Sequence, residues 1–190
     1  SLLAVFSFFI NYYFANLGLH PIDTFSFFES GYLITQGYHP VKDFWVISGI
    51  VVDYLQALFF LVFGNNWNSY IFHSSIVNSL ISVLFLFFLN NFNKNLILNL
   101  LLSFSFAVLC YPVSGTPFPY QHSYIFSLAS MIFFYLAVSK EKKVYWFVLP
   151  ISMFLAFFSM QMPSGIIIVL IIFFSLIYYL KFNKSFLKPF

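Results

Sequence analysis

HPIDTFSFFESGYLITQGYHPVKDFWVISG, residues 20–49, decides how the rest of this 190-residue chain is read. Four of the five acidic residues (Asp23, Glu29, Asp43, Asp53) lie in or just beyond it, with two of the four histidines, His20 and His39. Almost everything around it is Phe, Leu, Ile, Val or Tyr. Charge is costly beside a bilayer, so a cluster of it between apolar runs asks for a function. The stretch from residue 19 to 66 is therefore expected to be an active-site loop, and the rest of the chain its scaffold.

The composition sets the class. Hydrophobic residues make up 62% of the chain and charged ones only 7%, where a soluble domain carries about 25% charged residues. With a mean hydropathy of +0.92, repeated apolar runs of this kind mark a polytopic helical membrane protein. The net charge of +3 sits in short lysine patches between apolar runs, which are topology signals and do not point to nucleic acid. The lone Cys110 excludes a disulfide framework within the chain. Both ends read as cut, so the chain is expected to be a fragment of a longer protein, forming a single polytopic domain over 1–190.

Working outward, residues 1–18 form a run just long enough to span. Phe25, Phe28 and Tyr32 then recur at helical spacing, which predicts an amphipathic surface helix over 24–36, stopped by Gly37 and Pro40. The run 50–63 is short for a span and is interrupted by Asp53 and Gln56. The lysines settle its place. If 50–63 lies in the interface, helices near 68–89, 96–112, 122–139, 144–160 and 164–180 put Lys94, Lys140, Lys142, Lys143, Lys181, Lys184 and Lys188 on one side. The acidic loop then falls on the other, as the positive-inside rule requires. The expectation is an all-α integral membrane protein of about six spans, with the acidic loop outside. Two further outer segments complete that face, YPVSGTPFPYQHS at 111–123 and SMQMPSG at 159–165.

The residues able to carry chemistry lie mainly on this face. Asp23 is a helix N-cap in the bland reading and a surface carboxylate acting as base or metal ligand in the sharper one. Asp43 is either a solvated partner of Lys42 or a second carboxylate converging with Asp23. Glu29 belongs to the polar face of the surface helix, and Asp53 caps or lines the interfacial one. His39 and His122 are placed on outer loops, where they can bind phosphate, whereas His73 is expected to pack or hydrogen-bond between helices. No catalytic triad pattern or zinc-ligand spacing occurs. By themselves the residues establish paired carboxylates at a membrane face. These suit activation of a hydroxyl, coordination of a divalent cation, or an ion pathway.

The order D-x5-E-x-G-x5-G-x-x-P-x-x-D-F, from Asp23 to Phe44, resembles the first external loop of GT-C-fold glycosyltransferases, in particular the dolichyl-phosphate-mannose-protein mannosyltransferase-like enzymes of bacteria. LFFLVFG at 58–64 is similar to the apolar ending of that loop. Gln161, Pro163 and Ser164 fit a later family stretch, with Met160 where Lys is common. The resemblance covers residues 20–80 best. It implies a transferase that takes sugar from a polyprenyl-phosphate donor to a lipid, glycan or protein acceptor, at the periplasmic face of a bacterial inner membrane. It makes Asp23 the base and Asp43 the second acidic residue, with a divalent cation held by that pair if one is used. Glu29, His39, Lys42, His122 and Gln161 are then expected to meet the substrate. A transporter or channel subunit is the alternative, and it predicts ionisable residues inside the spans, where the sequence shows almost none.

Overall fold

The computed structural model describes residues 2–19, 24–46, 48–110 and 112–182, and every regular element among them is helical. In chain order these are α1 (Leu2–Ala15), α2 (Ser26–Thr35), α3 (Val51–Phe63), α4 (Trp67–Phe92), α5 (Leu96–Leu109), α6 (Pro119–Lys140), α7 (Lys143–Ser159) and α8 (Gln161–Phe182). A short 3₁₀ turn, Val113–Gly115, precedes α6. A span needs about 20 apolar residues, and α4, α6 and α8 are long and apolar enough to cross a membrane. The helices α1, α3, α5 and α7 are apolar but shorter.

The bundle is lined in a way that suits lipid. Among the described residues, more polar than apolar side chains are fully buried, while Leu2, Leu101, Val169 and Leu180 stand well exposed. Helices in lipid gain little from hydrophobic burial against one another, so small and hydrogen-bonding residues take the interfaces. Ser7 of α1 donates to the Asn78 carbonyl of α4 at 2.9 Å, and Asn78 returns a bond to the Ser7 carbonyl at 3.2 Å. Between α6 and α7, Ser130 bonds Ser152 at 2.9 Å.

The two ends of the bundle differ. Described lysines other than Lys42 lie in or beside the α4–α5 and α6–α7 connections and at the end of α8. Ring contacts tie these ends together, Phe92 to Tyr135 at 4.1 Å and Trp146 to Tyr178 at 6.0 Å. At the opposite end α2 and α3 form a layer packed by aromatic side chains. Phe27, Val52, Phe60 and Tyr70 make its core, flanked by Phe28 and Trp67.

Several expectations change in detail. The surface helix is shorter, and it buries Phe27, Ser30 and Gly31 while Phe25 and Tyr32 stay exposed. Close packing on α3 sets this choice, since a Cβ on Gly31 would lie 2.7 Å from the Gln56 side chain. Gly37, at φ +89°, does end the helix. The amides of Gly37 and Tyr38 donate back to the Ile34 and Leu33 carbonyls, a Schellman arrangement. The 111–123 segment is irregular only as far as Phe118. Pro119 opens α6 at its first turn, where a missing N–H costs nothing.

Candidate functional site

A half-open cleft of about 240 Å³ lies where α2, α3 and the extended segment 44–46 meet. Its walls include Glu29 and Ser30 from α2, Phe44 and Trp45 from the segment, and Asp53 from α3. The segment is anchored just beyond the cleft. Gly49 donates to the Ser159 carbonyl at 3.1 Å, and a Cβ on Gly49 would come within 1.9 Å of the Phe158 carbonyl oxygen. Only glycine permits that approach. The Gly49 contact joins the 20–64 stretch to the α7–α8 junction. Ser123 of α6 reaches the same junction, donating to the Met160 carbonyl at 3.1 Å. Thus the three segments grouped by sequence on one face meet in space.

Asp53 is the chemically unusual group of the cleft. It is 3% exposed. Its Oδ1 accepts a hydrogen bond from the Ser30 hydroxyl, while Oδ2 has no partner among the described residues. Burial pushes its carboxyl up to about 6, against the opposing pull of the Ser30 bond. A carboxyl so tuned changes protonation close to neutral pH, which suits a general base or acid. It caps nothing: the α3 N-cap is Ile50, with no side-chain capping bond.

Asp43 has a different task. The His39 amide donates to its Oδ2 at 2.8 Å, the Asp43 amide donates to the His39 carbonyl at 2.9 Å, and Lys42 Nζ stands 3.7 Å from its Oδ1. His39 Nδ1 in turn meets the Tyr54 hydroxyl at 3.3 Å. Asp43 therefore closes its own turn, in which Val41 is held at φ +72° and its amide donates to the Phe44 carbonyl at 2.9 Å. A β-branched residue there is strained. His39, Lys42 and Asp43 frame the cleft's neighbouring turn but do not line the cleft, whereas Glu29 does. Asp23 lies outside the described residues. Among the described residues no three His, Cys, Asp or Glu side chains gather on one point.

His122 is not on an outer loop. Because α6 begins at Pro119, His122 lies inside it, fully buried. Its Nε2 faces His73 Nε2 of α4 at 3.1 Å, and His73 Nδ1 faces Gln56 Oε1 of α3 at 2.9 Å. His73 thus does bond between helices. Gln161 opens α8, exposed and away from the cleft lining. Sequence reasoning gives Ser30 no role, and reads Gln56 only as an interruption of the 50–63 run and Asp53 only as capping or lining it. One signal was available: Asp53 and Gln56, three residues apart in an apolar run, fall on one helix face, and both are buried.

Comparison with protein-family models, characterised proteins and solved structures finds no match for this chain.

Proposed function

We propose that this chain belongs to an integral membrane glycosyltransferase of the GT-C type, transferring a sugar from a polyprenyl-phosphate donor to an acceptor hydroxyl at the external face. About six spans carry it, α1 and α4–α8, with α2 and α3 lying at the membrane surface and the lysines on the inner side. The observation that carries the reading is the cleft at the lysine-poor end, lined by Glu29 and by the buried Asp53, whose second oxygen has no partner among the described residues. In this reading the base takes the acceptor proton as the hydroxyl attacks the anomeric carbon, and the lipid phosphate leaves. Asp23, the base implied by the loop resemblance, stands three residues before Ser26, which lines the cleft. Asp53 is the carboxylate within the cleft itself.

The test uses the full-length protein in membrane vesicles supplied with a radiolabelled polyprenyl-phosphate sugar. Asp23→Asn and Asp53→Asn should each abolish transfer while insertion stays intact. Unchanged turnover in both variants would sink the proposal. One observation favours a transporter instead, the hydrogen-bonded His73 and His122 inside two candidate spans. Cation-dependent current or flux in vesicles lacking any lipid donor would select that reading.

A further inference from the structure

We propose that His73 and His122 form a single buried proton-binding site whose occupancy is coupled to that of Asp53 through the orientation of the Gln56 amide. The site stands under either reading of function. It follows from counting hydrogens along one chain of contacts. His122 Nδ1 lies 2.7 Å from the Phe118 carbonyl oxygen, which can only accept, so Nδ1 carries a hydrogen. If the His122 ring is neutral, its Nε2 is bare and must receive a hydrogen from His73 Nε2, 3.1 Å away. His73 Nδ1 is then bare in turn and needs a donor, so the Gln56 amide must face it with its nitrogen. That turns Gln56 Oε1 into the position now held by Nε2, a buried site on the same face of α3 as Asp53, where a protonated Asp53 is the neighbouring donor.

The structure has the other orientation. Gln56 Oε1 faces His73 Nδ1 at 2.9 Å, so Nδ1 is the donor. With His122 Nδ1 also carrying a hydrogen and one more lying between the two Nε2 atoms, the pair holds one proton beyond two neutral rings and shares an imidazolium charge. Gln56 Nε2 and Asp53 Oδ2 are left, both buried and without partners among the described residues. One is a donor and the other an acceptor. Residues three apart on a helix have Cβ atoms about 5–6 Å apart, so the two groups are neighbours on the buried face of α3.

The two arrangements contain the same number of protons. Between them Asp53 Oδ2 loses one and the histidine pair gains one. The carboxylate charge appears as the imidazolium charge appears, so the pair stays neutral overall in a site that could not hold a lone charge. The surrounding groups leave this coupling to Asp53. From α2 the nearby charge is Glu29, at the cleft mouth and exposed. From α4 the nearby titratable group is the Tyr70 hydroxyl, uncharged and donating to the Thr24 carbonyl at 2.5 Å. Tyr120 and Tyr124 of α6 are about half exposed, 46% and 54%. For the cleft, a proton held on the histidine pair leaves Asp53 as a carboxylate able to accept one.

The test is ¹⁵N NMR of the full-length protein in lipid nanodiscs with labelled histidine, the two rings assigned by their loss in His73→Gln and His122→Gln. From pH 5 to 8 the rings should titrate together in one step, and in Asp53→Asn the midpoint should fall by about one pH unit or more. Where Asp53→Asn fails to insert, Ser30→Ala keeps the carboxylate and removes its hydrogen bond, and the midpoint should again fall. Rings that stay neutral with fixed tautomers throughout would overturn the proposal. So would a midpoint indifferent to the Asp53 or Ser30 variant, or a stoichiometric metal released by His122→Gln. None of these readouts needs sugar transfer, so failure here and failure of the transferase reading are told apart.

Discussion

Between α2, α3 and the start of α4 the contacts are aromatic: Phe28 meets Phe60 at 4.9 Å and Tyr70 at 5.4 Å, and Trp67 meets Tyr70 at 5.6 Å. Deeper in the bundle, between α1 and α4, hydroxyls and amides join the helices alongside a ring pair, Phe8 and Phe72 at 5.1 Å. Asn11 donates to Ser75 at 2.9 Å and to the Gly115 carbonyl at 3.0 Å, and Ser79 donates to the Ala4 carbonyl at 2.9 Å. The two regions therefore answer different solvents. Burying large rings stabilises a layer that water can reach, whereas helices in lipid gain little hydrophobic stabilisation from it. The candidate site sits at the seam, where α3 carries both Asp53, bonded to Ser30 of the layer, and Gln56, bonded to the His73–His122 pair of the bundle.

The largest test of that contrast is Phe60→Ala. With Phe60 3% exposed in the aromatic core, its loss should cost about 3–5 kcal/mol by transfer and cavity terms, read as thermal unfolding in detergent. A loss below about 1 kcal/mol would mean the layer is packed like the bundle.

Next comes pH. Asp53 ordinarily titrates at 3.8 and in the fold at about 6. The folded protein therefore holds this proton more tightly than the unfolded chain. Stability falls as pH rises between those values, by up to about 3 kcal/mol, and the cost is fully present above the upper one. Asp53→Asn should flatten that slope and raise the unfolding midpoint at pH 7. An unchanged slope would show that Asp53 meets water more freely than its burial implies.

A smaller gain is expected outside both regions. Val41→Gly relieves a left-handed β-branched residue at an exposed position, and should stabilise the 39–44 turn by about 1 kcal/mol. The check is slower hydrogen exchange at the Asp43 amide. The smallest effect belongs to the bundle. Ser130→Ala removes one interhelical bond to Ser152, and should cost only about 0.6 kcal/mol, the usual size of such bonds in membrane proteins. A loss as large as that of Phe60→Ala would erase the distinction between the regions.

Much of the fold was legible from residues alone because it follows from local chemistry. Apolar runs long enough to span are helical, since lipid leaves a backbone no other way to satisfy its polar groups. Gly37 and Pro40 stop α2, and lysines collect at one end of the bundle by the same pattern that sorted them in the sequence. The candidate site was less legible. Asp43 looked like half of a catalytic pair, but its partners are His39 and Lys42, within four residues of it. Asp53 and Gln56 looked like interruptions in a short apolar run.

By itself, the sequence determined the all-helical class, the apolar surface and the segregation of acidic from basic residues. These depend on composition and on contacts a few residues apart. Only the tertiary structure decided which polar groups are partners. Ser30 meets Asp53 across 23 positions, and His73 meets His122 across 49. The physical reason is that such pairing depends on how helices rotate and approach. Gly31 sets one approach by having no Cβ to strike Gln56, and Pro119 places another by starting α6 a turn early enough to carry His122 inside.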